Sequence, residues 1–149
     1  MSKDKKKEIG QSSQNSFLKL IEDNIRDNWD IDARTDYKGG TLKYKDVAQS
    51  IARLHIIFEQ TGVKKGDKIA ICGRNSSNWG VVFLATLTYG AVSVPILNDF
   101  KADNIHNIVN HSDSVLLFVG DNVWENIDES AMSKLKGIIS IADFSLLVS

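Results

Sequence analysis

The stretch GVKKGDKIAICGRNSSNWGVVFLATLTYGAVSVPI, residues 62–96, decides the fold. It reads as turn, buried strand, helix and buried strand, with punctuation at each join. Lys64-Lys65-Gly66-Asp67 is a polar turn, and Lys68 to Cys72 is a short apolar strand. Asn75, Ser76 and Ser77 offer side-chain oxygens to the first free N–H groups of a helix. That helix runs through Trp79, Val82, Phe83, Leu84 and Leu87 to Gly90, a residue suited to a left-handed stop. Ala91 to Ile96 is a second strand, closed by Pro95, the one proline of the chain. Both strands are nearly continuous apolar runs, the pattern of a sheet covered on both faces. Two such strands joined by a helix make a right-handed βαβ unit.

Downstream the alternation continues. Ile105, Ile108 and Val109 mark a helix from Ala102 to Asn110, and Ser114 to Val119 is a third apolar strand. Val123, Ile127 and Leu135 suggest a looser helix from Asn122 to Leu135, followed by a fourth strand from Gly137 to Ala142. Alternating strands and helices predict an α/β fold, a mostly parallel sheet with helices on both faces. The closing apolar group Phe144, Leu146, Leu147 and Val148 lacks a turn after it, which reads as an element cut short.

Upstream, Val47, Ile51, Leu54 and Phe58 fall at i, i+4, i+7 and i+11, so a helix from Lys43 to Gln60 buries one face, and Gly62 ends it. Ile31 to Tyr37 and Thr41 to Tyr44 flank Lys38-Gly39-Gly40 as a small hairpin. Phe17, Leu20, Ile21 and Ile25 place an amphipathic helix from Ser16 to Asn28. Residues 1–15 carry Lys3, Lys5, Lys6 and Lys7, diluted by Asp4 and Glu8. They read as a disordered polar tail, with a polybasic arm as the alternative.

Composition bounds the function. A chain of 149 residues with 42% hydrophobic and 25% charged residues has the make-up of a globular domain with a sizeable core. A net charge of −1 provides no basic face for nucleic acid. The one cysteine, Cys72, excludes a disulfide framework and favours a reducing compartment. No apolar run is long enough to span a bilayer and the N-terminus lacks an apolar core, so the expected location is cytoplasmic.

Candidate chemistry is sparse. His111-Ser112-Asp113 contains the residue types of a hydrolytic triad, but adjacent residues cannot form that relay, and a helix C-terminal turn is the simpler reading. Arg74 at the start of the central helix could receive an anion, against plain capping as the alternative. Gly39-Gly40 could cradle a phosphate, but it lacks the helix and lysine of a P-loop. The histidines His55, His106 and His111 lack metal-ligand spacing, and Asp121, Glu125, Asp128 and Glu129 read as a solvated helix face. From the residues themselves no catalytic, cofactor-binding or metal position is assigned.

Several segments resemble the N-terminal part of adenylate-forming enzymes, the AMP-binding superfamily, and long-chain fatty acyl-CoA synthetases in particular. Thr41-Leu42-Lys43-Tyr44-Lys45-Asp46-Val47 is similar to the threonine–tyrosine opening of that family's first large helix. Gly62-Val63-Lys64-Lys65-Gly66-Asp67-Lys68-Ile69-Ala70 is similar to its "G-v-x-x-G-D-x-V-a" segment, and Asn75-Ser76 with Trp79 to its "N-s-x-x-W" helix start. Gly90-Ala91-Val92-Ser93-Val94-Pro95-Ile96 is similar to its "G-a-v-x-v-P-l" strand. Ile105, Ile108, His111, Ser112 and Val115 to Phe118 follow its "e-I-x-x-I-l-x-x-S" helix and "l-l-F" strand.

The resemblance covers Phe17 to Ala142. It implies that residues 16–149 are the N-terminal α/β portion of an AMP-binding domain, truncated at its C-terminus. The parent would activate a fatty acid with ATP and Mg²⁺ to an acyl-adenylate and pass the acyl group to coenzyme A. The family's phosphate loop with its lysine, its aromatic-Gly-x-Thr-Glu segment, its ribose-binding aspartate and its catalytic lysine have no counterparts here. No family catalytic position therefore carries over, and the chain alone is expected to be inactive. Its expected partner is the remainder of the adenylation domain, with self-association through an exposed edge. Two alternatives stand beside this reading: a related adenylate-forming enzyme for another acid, and a non-catalytic α/β docking module.

Overall fold

The computed structural model describes residues 32–35 and 41–149. The tail over residues 1–15, the helix expected over residues 16–28 and the Lys38-Gly39-Gly40 turn lie outside them. The chain divides into two compact units, residues 1–48 and 49–149.

In the first unit, β1 (Asp32–Thr35) pairs antiparallel with β2 (Thr41–Lys43), Thr35 opposite Thr41 and Arg34 opposite Leu42. This is the expected hairpin pairing. Helix α1 (Tyr44–Gln60) follows directly and from Gln49 onward belongs to the second unit. Val47, Ile51, Leu54 and Phe58, the residues at helical spacing, are all buried.

The second unit carries a five-stranded sheet. Its strands are β3 (Lys68–Cys72), β4 (Val92–Ile96), β5 (Leu116–Val119), β6 (Gly137–Ser140) and β7 (Leu146–Val148). Their spatial order is β4-β3-β5-β6-β7. The first four run parallel, with Ile71 opposite Pro95 on one side and Phe118 on the other. Every residue of β5 and β6 is buried, as central parallel strands require.

The βαβ unit forms as its sequence predicts. The turn before β3 is closed by the Lys64 N–H donating to Asp67 Oδ2 at 2.9 Å. Helix α2 (Ser77–Tyr89) starts at Ser76, whose Oγ accepts the Trp79 N–H at 3.1 Å. It stops at Gly90, where φ is 90° and the N–H turns back to Leu87 and Thr86 carbonyls. A β-carbon in that left-handed conformation is strained, which is why glycine stands there.

Helices cover both faces. On one, Phe58 of α1 meets Phe118 of β5 edge-on at 6.2 Å and Tyr89 of α2 at 5.2 Å. On the other, Ala70, Cys72, Leu117 and Val119 pack with Ile105 and Val109 of α3 (Ala102–Ser112). Alternation along β3 and β5 sends neighbouring residues to opposite faces, so each strand serves both cores.

Three expectations need correction. Pro95 does not close β4. It lies within the strand, and because among the described residues β4 is an edge strand paired only with β3, its missing N–H costs the ladder nothing there. The helix expected over residues 122–135 is a single turn, α4 (Asp121–Trp124), then a loop with a 3₁₀ turn at Glu129–Ala131. Asp128 ends any continuation by accepting the Ser130 N–H at 3.0 Å and its hydroxyl at 2.6 Å. The apolar group after Ala142 contains β7, a fifth strand antiparallel to β6.

Candidate functional site

In an open α/β sheet, ligands bind beyond the carboxyl ends of the strands where the strand order reverses. Here that place lies where β4 and β5 flank β3. From β3 the chain enters Gly73-Arg74-Asn75, from β4 Leu97-Asn98-Asp99, and from β5 Gly120-Asp121-Asn122. The β3 and β5 ends are drawn together, the Gly120 N–H donating to the Cys72 carbonyl at 3.0 Å. A β-carbon at Gly73 would stand 2.7 Å from Ile141 Cδ1 and 3.3 Å from the Gly120 nitrogen. The β4 and β5 turns are joined by the Asn122 Nδ2 donating to Asn98 Oδ1 at 3.3 Å.

A cavity of about 300 Å³ opens here, lined among others by Arg74, Asn75 and Trp79 on one side and Leu97, Asn98 and Asp99 on the other. The Trp79 ring is backed by Phe83, stacked at 5.6 Å and 11°. Beneath it, Cys72 is fully buried and its Sγ donates to the Leu97 carbonyl at 3.7 Å. Burial pushes this thiol up to about 11, so it is a core residue rather than a nucleophile.

The other residues that sequence reasoning singled out are placed as follows. His55 Nε2 lies 3.0 Å from both the Ala85 carbonyl and Thr88 Oγ1, tying α1 to α2. The triad types disperse. Ser112 Oγ donates to the Val109 carbonyl at 3.2 Å, His111 is exposed, and Asp113 ends α3 with φ 57°. The Lys134 ammonium, hydrogen-bonded to Asp113 at 2.7 Å, holds that carboxyl below the usual carboxylate range.

His106 is buried, and its Nε2 accepts the Asp128 N–H at 3.0 Å. One turn on, Asn110 Nδ2 donates to the Ala131 carbonyl at 2.8 Å, so α3 holds the loop after α4 at two points. That loop walls a second, open groove of about 580 Å³ lined by Trp124, Ile127, Asp128, Glu129, Leu147 and Val148. The acidic residues thus do not form one helix face. Asp128 is turned to Ser130, whose hydroxyl and N–H hold its carboxyl below the usual range. Among the described residues no group of three or more His, Cys, Asp or Glu is placed to hold a metal ion.

Arg74 therefore does line a cavity, while Asn98, Asp99 and Asn122 were not legible as site residues. The signal available for them was position alone: each follows an apolar strand at its carboxyl end.

The model of the family described as "AMP-binding enzyme" matches residues 21–146, nearly the whole chain. The chain belongs to the AMP-binding enzyme family. Among curated relatives, fatty acyl-CoA synthetase A of Dictyostelium discoideum is 32% identical over 133 residues, which is 89% of this chain and 19% of that protein. Long chain acyl-CoA synthetase 3 of Arabidopsis thaliana is 30% identical over 101 residues, 68% of this chain and 15% of that one. This AMP-binding chain thus spans about a fifth or less of the length of these relatives.

Among solved structures, the anthranilate CoA ligase AuaEII in complex with anthranoyl-AMP superimposes with a TM-score of 0.78 at 17% identity. The match covers 85% of this chain and 25% of that one. At such identity the likeness speaks for the fold, and the mostly parallel sheet is the one found in the N-terminal region of that adenylate-forming ligase.

Proposed function

We propose that this chain is the N-terminal α/β portion of a long-chain fatty acid–CoA ligase. In this reading the parent joins a fatty acid to ATP as an acyl-adenylate and then transfers the acyl group to coenzyme A in the cytoplasm. What carries the reading is the family match across residues 21–146, together with two relatives at 30% identity or more whose names specify fatty or long-chain acyl groups. ATP, Mg²⁺ and coenzyme A are assigned to the parent, and no described residue is offered as a ligand to them.

Within such a parent the chain acts as scaffold. Its sheet is a layer against which the rest of the adenylation domain packs. Alone it is inactive, because catalysis of adenylation needs cations placed against the phosphates. The one exposed arginine of the cavity, Arg74, does not supply such a set.

A second reading, in which the parent acts on another acid, is favoured by the family match itself, whose description names AMP and no particular acid. Acid-dependent ATP–pyrophosphate exchange separates these readings. The 149-residue chain is expected to show none, and the intact protein isolated from its source cell is expected to prefer long-chain fatty acids over aryl and amino acids. Exchange by the chain alone would refute the scaffold role, and an aryl preference would refute the fatty-acid assignment.

A further inference from the structure

Two unlike charges stand unpaired at the cavity between the β3 and β4 ends. Arg74 is exposed on the β3 side and Asp99 is exposed on the β4 side, and neither makes an ion pair or hydrogen bond among the described residues. They do not neutralise each other across the opening, although both line it. The rest of the lining is mixed: the apolar Trp79, Pro95, Ile96 and Leu97, with Gly73 and the polar Asn75 and Asn98.

These walls are held in place. The Trp79 ring rests on Phe83 and its backbone is fixed by the Ser76 cap, while Asn98, next to Asp99, is tied to Asn122. The volume, about 300 Å³, lies at the small end of ligand sites.

We propose that this cavity binds an apolar amino acid in its zwitterionic form. The carboxylate meets the Arg74 guanidinium, whose planar fork suits it. The ammonium meets the Asp99 carboxylate, and the side chain lies against the Trp79 indole and Leu97. A ligand with one charge satisfies one partner and leaves the other facing solvent or an apolar body, so the paired charges select for both groups on one small molecule. The site needs only described residues, and it stands or falls independently of what the parent enzyme activates.

The test is an NMR titration of the ¹⁵N-labelled 149-residue chain with L-phenylalanine, 3-phenylpropionate, which lacks the ammonium, and phenethylamine, which lacks the carboxylate. Saturable shifts at the Trp79 indole N–H and the Asn98 side-chain amide are expected with L-phenylalanine. Each one-charge analogue should bind about fivefold more weakly, the upper range for an exposed ion pair. Arg74→Gln should abolish the advantage over phenethylamine, and Asp99→Asn the advantage over 3-phenylpropionate. Both positions are exposed, and an otherwise unchanged spectrum reports that each variant is folded. Three results would each overturn the proposal: no saturable shift at Trp79, 3-phenylpropionate binding as tightly as phenylalanine, or an advantage that survives both substitutions.

Discussion

Replacing Gly73 with alanine tests the contact that closes the carboxyl end of the sheet. The new β-carbon would stand 2.7 Å from Ile141 Cδ1 and 3.3 Å from the Gly120 nitrogen. The nitrogen cannot retreat without lengthening its 3.0 Å bond to the Cys72 carbonyl. Ile141 has little room of its own, being 5% exposed. Overpacking of this kind costs about 1–3 kcal/mol, and alanine recovers about 0.4–1 kcal/mol by restricting the unfolded chain. The net expectation is a loss of about 1–2 kcal/mol.

Ile141→Val removes the offending Cδ1 and by itself costs about 0.5–1.5 kcal/mol. If the close approach is the cause, the double variant loses about 1 kcal/mol rather than the additive ~2.5. The coupling then exceeds the ~0.5 kcal/mol scatter of independent sites. Urea unfolding of the four proteins, followed by tryptophan fluorescence at matched slopes, measures it. Strict additivity would show that the Gly73–Ile141 approach does not dictate glycine.

Three further outcomes follow from particular residues. Burial raises the Cys72 thiol from 9.0 to about 11, so between these values the folded chain holds a proton that the unfolded chain has lost. Stability should therefore fall as pH rises through that window, and Cys72→Ala should fall less steeply; equal slopes by thermal unfolding would contradict the burial. Lys134→Ala should raise the Asp113 midpoint in a carboxyl ¹³C titration, because its ammonium holds that carboxyl down. The pair's contribution is present above the ordinary carboxylate pKa of about 3.9 and fades as pH falls, so an unmoved midpoint would refute the pairing. His106→Ala should leave the Asp128 N–H without its acceptor, at a cost of about 1–3 kcal/mol. Amide exchange at Asp128 should then quicken, and an unchanged rate would show that the loop is held by other contacts.

The parts of the fold legible in sequence are those written into near neighbours. Val47, Ile51, Leu54 and Phe58 declare the buried face of α1 by spacing, and Ser76 and Gly90 declare the ends of α2 by their caps. Where local signals compete, reading failed. Ser114 and Val115 look like strand, but α3 ends with Asp113 at φ 57° and the Ser114 N–H returns to Val109, so β5 begins only at Leu116. Val123, Ile127 and Leu135 suggest a helix, but Asp128 offers the backbone a closer partner at Ser130.

The candidate site was less legible than the fold. Arg74 could be noticed because it follows an apolar strand and precedes a helix cap. Its companions Asp99 and Trp79 arrive from another strand end and from the next helix, and no spacing in sequence announces that they share a cavity. Similarly, His106 and Asp128 lie 22 residues apart, and nothing local says that one accepts the other's N–H.

By itself, then, the sequence determined the alternation of strand and helix, the caps and turns, and the family likeness, because each rests on residues within a few positions of one another. Tertiary structure alone decided that β3 lies between β4 and β5, that β7 turns back antiparallel on β6, and that Gly73 stands close against Ile141 and Gly120. Those choices depend on strand pairing and packing between distant segments, whose energies no local pattern encodes.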